Sequence, residues 1–270
     1  MKMSNWPSTR RRRTALLVSL FLLTASLAPG VLGEEAPPAE DGQPDAPAEE
    51  ASSRKEQLPP DVRMVLDKLD DSNKKIKDIT AKVAYVREIP LLDAKQKSSG
   101  ELIFKKPDGE SSRHRIVLKL GKPRNEDVYT NGETWWVVSH NDKQVEIYKA
   151  AKAGEGDREA AFLSFAYGSS SEKLLKDYRV ELVAKEERKE EETLYRLKFT
   201  PRLRKGRPAR YEAIEVEVSD KTWLPGAIVL HEPGRQVVHT YRLRNIRTNT
   251  KVKDDAFEYK PPPGYTVHEL

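Results

Sequence analysis

The sequence predicts a mainly β, α+β domain: a long antiparallel sheet of about ten strands, curled around a few helices so as to leave an apolar cavity. Three observations carry this. Apolar residues recur at period two over most of the chain beyond residue 78, short polar turns separate the runs, and a single amphipathic helix stands before them. A sheet of that length curls or splits. One helix is too small to cover it flat, so a curved sheet wrapped around helices satisfies both facts.

The chain opens with a segment that does not belong to that domain. Lys2 and the run Arg10–Arg13 precede an uncharged apolar stretch, TALLVSLFLLTASL, over residues 14–27. Ala28-Pro29-Gly30 breaks it, and Val31-Leu32-Gly33 offers small residues for cleavage near Gly33. This is the three-part pattern of a secretory signal over residues 1–33, and the run is short for a permanent membrane anchor. The exported chain is expected to lie outside the cytoplasm, free of a stable anchor. Removing five bases leaves 43 basic residues against 43 acidic ones, so the pI near 9.1 is no argument for nucleic acid. With no cysteine, disulfides, thiolate metal sites, cysteine nucleophiles and a lipid-bearing cysteine are all excluded.

Residues 34–58 are rich in Ala, Pro, Glu and Asp and can bury little apolar area, so they read as a disordered acidic linker. The rest, 59–270, suits one domain. Val62, Val65, Leu66, Leu69 and Ile76 fall on one helical face, predicting a helix over 61–76 with Asp61 as its N-cap. Ile79, Ala81, Val83 and Tyr85 then alternate, followed by Leu102 and Phe104, and by Ile116, Leu118 and Leu120. Asn131-Gly132 predicts a tight hairpin, and Asn141-Asp142 a second turn. Five further strand-like runs follow between 179 and 246. The segment 158–176 predicts two short helices split by Gly168-Ser169-Ser170.

No phosphate-binding glycine loop, zinc-protease helix or nucleophile elbow occurs. The histidines His114, His140, His231, His239 and His268 lack metal-ligand spacing, and His231-Glu232 would point to opposite faces of a strand. His268 falls in a C-terminal tail expected to fray. The reading is of a non-enzyme with no cofactor and no metal.

Three ordered segments carry a family resemblance. Gly100-Glu101-Leu102-Ile103-Phe104-Lys105-Lys106-Pro107 resembles a strand end of the LolA-like periplasmic lipoprotein carriers. Asn131-Gly132-Glu133-Thr134-Trp135-Trp136-Val137 resembles their hairpin, and the stretch from Asp254 to Tyr265, DDAFEYKPPPGY, resembles their closing segment. The resemblance implies an incomplete antiparallel β-barrel of about ten to eleven strands closed by helices over a hydrophobic cavity. It implies a carrier that shelters the acyl chains of lipoproteins on the way to the outer membrane. Partners would be lipoproteins or other acylated ligands, an inner-membrane release complex and an outer-membrane acceptor, with no nucleic acid. The alternative is an envelope sensor using the same fold. Alternation nominates Tyr85, Leu102, Phe104, Leu118, Trp136, Val138, Ile147, Tyr195, Leu197, Phe199, Ile214 and Val216 as cavity residues; Trp135 and Trp136 point to opposite faces, so at most one is inside. Phe162, Phe165 and Tyr167 are the lid candidates. Lys106 stands where better-known members carry an arginine that latches the lid, and it lacks that residue's bidentate fork.

Overall fold

A computed structural model describes residues 55, 57–107, 114–149, 166–188, 191–202 and 209–270. The predicted signal, most of the linker, and the lid candidates Phe162 and Phe165 lie outside the described residues. Helix α1 (Pro60–Lys75) leads into β1 (Asp78–Ile89), β2 (Ala94–Lys105), β3 (Arg115–Leu120), β4 (Glu126–Thr130), β5 (Thr134–Ser139) and β6 (Gln144–Lys149). A helical turn at 166–168 and helix α2 (Ser171–Asp177) precede β7 (Tyr178–Arg188), β8 (Glu192–Pro201), β9 (Ala213–Ser219), β10 (Pro225–His231), β11 (Val238–Thr248) and a short β12 (Thr266–Glu269).

All twelve strands form one sheet, ordered β12-β6-β5-β4-β3-β2-β1-β11-β10-β9-β8-β7. It is two meanders joined where the first long strand pairs with the last, Tyr85 opposite Tyr241. The sheet does not close: β12 and β7 are its edges. Register slips between Thr80 and Lys82 against β11, between Pro225 and Ala227, and between Leu182 and Ala184 mark irregularities that sharpen the local twist of a long sheet.

Two sequence expectations need correction. The N-cap of α1 is Pro59 with no side-chain cap, and Asp61 lies within the first turn. The helix starts a residue early because the fixed φ of Pro60 suits its first position, while Asp61 faces the positive end of the dipole from inside the turn. His268 does not fray: it sits in β12, which pairs in parallel with β6, His268 opposite Glu146. That strand raises the count above the expected ten to eleven. Nothing in its alternation could announce it, since all four of its residues are exposed.

The Asn131-Gly132 hairpin forms as a three-residue connection. Asn131 Oδ1 accepts from the backbone N–H groups of Glu133 and Thr134, both at 3.0 Å, and Gly132 adopts φ 97°, which a side chain would strain.

Both faces of the sheet's first half are covered. α1 and α2 lie on the concave face, over a core that includes Ile79, Phe104, Leu118, Leu197 and Ile228. On the convex face, the segment 252–265 crosses β3–β6 as a strap above Val117, Tyr129, Trp136, Val138 and Val145. Phe257 is fully buried there, Tyr259 packs on Tyr129 with ring centroids 4.7 Å apart, and Tyr265 Oη lies 2.9 Å from His140 Nδ1.

Candidate functional site

The site is the concave apolar face and the devices that hold helices over it. Tyr85, Leu102, Phe104 and Leu118 come from β1–β3, and Tyr195, Leu197, Phe199, Ile214 and Val216 from β8 and β9; all nine are buried in one cluster with the inner stripe of α1. Cross-strand partners show why they share a face: Leu102 is opposite Leu118, Leu197 opposite Val216, and Phe199 opposite Ile214. Ile228, Leu230, Tyr241 and Leu243 of β10 and β11 complete the face; these were not among the nominated residues, although the alternation of IVLH and TYRL carried the signal.

Trp136, Val138 and Ile147 are not on this face. Trp136 pairs with Tyr129 and Ile147, and all three, with Val138, pack under the C-terminal strap on the convex side. Trp135 is the tryptophan that reaches the concave cluster. The physical reason is that both sides of β5 are covered, so TWWVVS has no polar phase by which alternation could tell inside from outside.

The consecutive lysines that end β2 serve the two sides separately. Lys105 Nζ turns to the strap, donating to Asp254 Oδ1 at 2.5 Å and to the Val252 carbonyl at 3.2 Å; Arg115 meets the same Asp254 oxygen at 2.7 Å. Lys106 Nζ turns to the helix side and donates to the carbonyl of Asn73 in the last turn of α1. A cation there answers the negative end of the helix dipole, and one N–H suffices because the acceptor is a single carbonyl rather than a carboxylate. Partial burial pulls the Lys106 ammonium below the ordinary lysine range.

A second contact ties α1 to α2. Asp70 accepts from the Ser171 backbone N–H at 2.8 Å and from Ser171 Oγ at 2.5 Å, and also from Lys55 Nζ at 3.0 Å. Burial pushes the Lys55 ammonium down, but Asp67 and Asp70 outweigh it and raise its pKa. Lys55, Asp67 and Asp70 rim a recess of about 510 Å³ together with Lys106 and Gly168–Ser170. Next to it, His114 stacks on Phe104 with centroids 5.2 Å apart. Burial, and then the charges of Lys106 and Lys173, lower its pKa to about 4. No feature of LDKLDDS singled out Asp70; its role depends on where α2 docks.

Tyr167, the lid candidate within the described residues, is fully buried. Its hydroxyl donates to the Pro225 carbonyl at 2.5 Å and its ring lies 5.9 Å from Phe104. Burial raises its phenol well above the usual tyrosine range. It therefore plugs the face from above rather than flanking it.

Polar groups also enter the concave face at the far end of the strands. Arg124 Nη1 donates to Tyr85 Oη at 2.6 Å, Tyr85 Oη lies 2.8 Å from His239 Nδ1, and His239 Nε2 lies 3.0 Å from Glu232 Oε1. With Arg124 donating to its oxygen, Tyr85 gives its own proton to Nδ1, which leaves Nε2–H to donate to Glu232. Burial lowers the His239 pKa and Glu232 opposes the shift. The chain satisfies buried polar atoms and pins β1 and β11 to the two neighbouring loops. His231 turns the other way, to Glu215 at 3.1 Å, so His231 and Glu232 do take opposite sides.

At the open edge, between the start of α1 and β7, lies a recess of about 460 Å³ lined by Pro59, Pro60, Asp61, Val62, Val180, Glu181 and Leu182. Val62 and Val180 also belong to the concave cluster, so this recess reaches the apolar face from outside.

The family model described as outer membrane lipoprotein carrier protein LolA matches residues 80–260, well over half of the chain. The chain belongs to the LolA family. The match runs from β1 into the strap, so it takes in β2 to β11, α2 and the Lys105-Lys106 pair. Among solved structures, this LolA-family chain is similar to an uncharacterised conserved protein of Thermus thermophilus, at 10% identity and TM-score 0.46 over 78% of this chain and 99% of that one. It is similar to a putative outer membrane lipoprotein-sorting protein domain from Vibrio parahaemolyticus, at 10% identity and TM-score 0.40 over 72% and 95%. It is also similar to the MucA/MucB complex structure from Pseudomonas aeruginosa, at 16% identity and TM-score 0.37 over 74% and 61%. No curated protein matches it significantly.

Proposed function

We propose that this chain is a non-enzymatic periplasmic carrier that shelters the acyl chains of lipoproteins, or of related acylated ligands, against its concave face during sorting to the outer membrane. The observation that carries this is the convergence of nine alternating apolar residues from five strands on one face, with helices held over it by a few polar contacts and a recess leading to it at the open edge. An acyl chain in water costs about 0.8 kcal/mol per CH₂, so an anchor of some forty methylenes needs on the order of 30 kcal/mol of shelter. A mostly apolar face supplies shelter without chemistry. Entry requires α1 and α2 to move off the face, and the contacts that resist this are those of Lys106 and Asp70.

The test is native mass spectrometry of the protein taken from its own envelope, followed by titration of the delipidated protein with a fluorescent triacylated lipopeptide. Expected are a mass shift matching lipid or lipoprotein and saturable uptake that Leu182→Glu at the recess slows. A clean protein mass with no uptake, where another LolA-family carrier binds the same lipopeptide, refutes the reading. Capture of a membrane signalling protein in place of lipid would instead make the fold an envelope sensor.

A further inference from the structure

The strap over the convex face brings phenols against a carboxylate and an imidazole, in a cluster that the concave face does not use. Asp127 and Tyr129 stand two positions apart on β4, so their side chains share one side of the sheet. His140 lies in the turn that follows β5, and Tyr259 and Tyr265 come from the strap. One oxygen joins the first three residues: Asp127 Oδ2 accepts from Tyr129 Oη at 3.4 Å and lies 3.2 Å from His140 Nε2. Tyr265 Oη holds the other ring nitrogen, Nδ1, at 2.9 Å, and the Tyr259 ring packs on that of Tyr129. Among the described residues no group of three or more His, Asp or Glu side chains could hold a metal ion, so a cation site in this fold has to use phenols. Histidine spacing could not announce it.

One of these phenols is left over. Tyr259 Oη is buried and has no hydrogen-bond partner among the described residues. A buried hydroxyl with nothing to bond is costly, and a bound ion or water is what relieves it. Burial first, and then the charges of Tyr129, Tyr265 and Asp127, push the Tyr259 phenol up to about 12, so it shares one electrostatic neighbourhood with the rest. Burial and Asp127 also raise the Tyr129 phenol. The positive charge at hand is Lys119, whose Nζ lies 5.6 Å from the centre of the Tyr129 ring, too far to pair with the oxygens through that contact. Solvent reaches the cluster, because the His140 and Asp127 side chains are 28% and 14% exposed.

We infer that Asp127, Tyr129, Tyr259 and His140 form a binding site for ferric iron, with Tyr265 orienting the imidazole. A carboxylate and two ionised phenols carry three negative charges, which a trivalent cation neutralises and a divalent one does not. Imidazole suits zinc, copper, nickel and iron, whereas oxygen anions suit hard cations, and ferric iron satisfies both. Neighbouring donors at about 2.1 Å from a six-coordinate metal stand about 3.0 Å apart. The separations of 3.2 and 3.4 Å around Asp127 Oδ2 are close to that span. His140 binds through Nε2, which moves its proton to Nδ1, where it is donated to Tyr265 Oη; metal-bound imidazoles make this kind of orienting hydrogen bond. Each phenol gives up its proton to water as it binds, so loading takes up one ion and releases two protons. The site lies on the opposite side of the sheet from the acyl face, and stands or falls apart from the carrier reading.

The test is titration of the full chain with ferric nitrilotriacetate, followed by visible absorption. Ionised phenols on ferric iron give a charge-transfer band in the visible, which carboxylate and imidazole ligands alone do not. One equivalent should be taken up with that band. Tyr259→Phe should lose part of the band, and Tyr129→Phe with Tyr259→Phe should lose all of it. Tyr265→Phe should keep the band but weaken binding by about tenfold to a hundredfold. Tyr148→Phe is the control: Tyr148 is another phenol that donates to a carboxylate, that of Glu146 on β6, and its loss should change nothing. Tyr259→Phe removes only the hydroxyl that lacks a partner, so the iron-free variant should unfold at the same urea concentration as the wild type, or higher. No band, a band that survives Tyr129→Phe with Tyr259→Phe, or a band lost equally in Tyr148→Phe overturns the proposal and leaves the Tyr259 hydroxyl to a water.

Discussion

Removing the Asp70 carboxylate should free α2 from α1 without unfolding the sheet. Asp70 is 17% exposed at its side chain, and it accepts one backbone N–H and one hydroxyl from the nearly buried Ser171. Hydrogen bonds to a charged group are worth about 1.5–3 kcal/mol each, but a partly solvated site recovers some of this from water. Asp70→Ala should therefore lower the free energy of α2 opening by about 3 kcal/mol, and Ser171→Ala, which keeps the backbone donor, by about 1.5 kcal/mol. Because both changes break the same hydroxyl contact, the double variant should fall short of their sum by about 1.5 kcal/mol. Native-state hydrogen exchange reads this at the α2 amides, among them Leu174, which donates to Ser170. Amides of β1 and β11 should keep their protection. Additive effects, or α2 exchange equal to that of the wild type, would show that helix packing alone holds α2 and that Asp70 is not a latch.

Three further outcomes follow from the packing. Gly100→Ala would place a methyl 1.7 Å from the Lys119 carbonyl oxygen in the neighbouring strand, so β2 and β3 must part there; a loss of more than about 2 kcal/mol is expected in urea unfolding, and a neutral variant would refute that register. Trp136→Ala should cost about 3–4 kcal/mol of stability and release the strap, raising hydrogen exchange in β12, while Trp135→Ala should leave the strap's exchange unchanged. His114 is neutral in the native chain between its pKa of about 4 and the ordinary 6.5, whereas the unfolded chain takes up a proton over that interval. Stability is therefore fullest above about pH 7 and falls as the pH drops from 6.5 toward 4, by up to about 1 kcal/mol per pH unit at this partly exposed site. His114→Asn should flatten that component, and equal slopes for the two proteins would refute the assignment.

The helix, the antiparallel meander and most of the concave face were legible in the sequence because period-two burial against one apolar side leaves a clean mark. Ile79, Ala81, Val83 and Tyr85 all face inward as their spacing requires. The mark fails where both sides of a strand are covered, which is why Trp136, Val138 and Ile147 were placed on the wrong face. It fails again for β12, whose pairing depends on the strap delivering it to β6 rather than on its own residues. The candidate site was half legible. Lys106 was found through a resemblance and does reach α1, but Asp70, Ser171 and Arg124 matter through partners 101 and 39 positions away. No local pattern encodes such a meeting.

The pairing of β1 with β11 also sets an order of assembly. The first meander, β1 to β6, is built from neighbours in the chain, and so is the second, β7 to β11, but the seam between them joins residue 79 to residue 248. Closing a loop of that size is slow relative to forming hairpins. Until the seam forms, the first half presents the long edge of β1 unpaired, the condition most prone to pairing with another chain. A circular permutant that starts at α2 and runs through the old termini into β1 would shorten the stretch of chain between β11 and β1. It should refold faster and aggregate less than the natural order at equal stability; a permutant that refolds no faster would show that the seam does not limit folding.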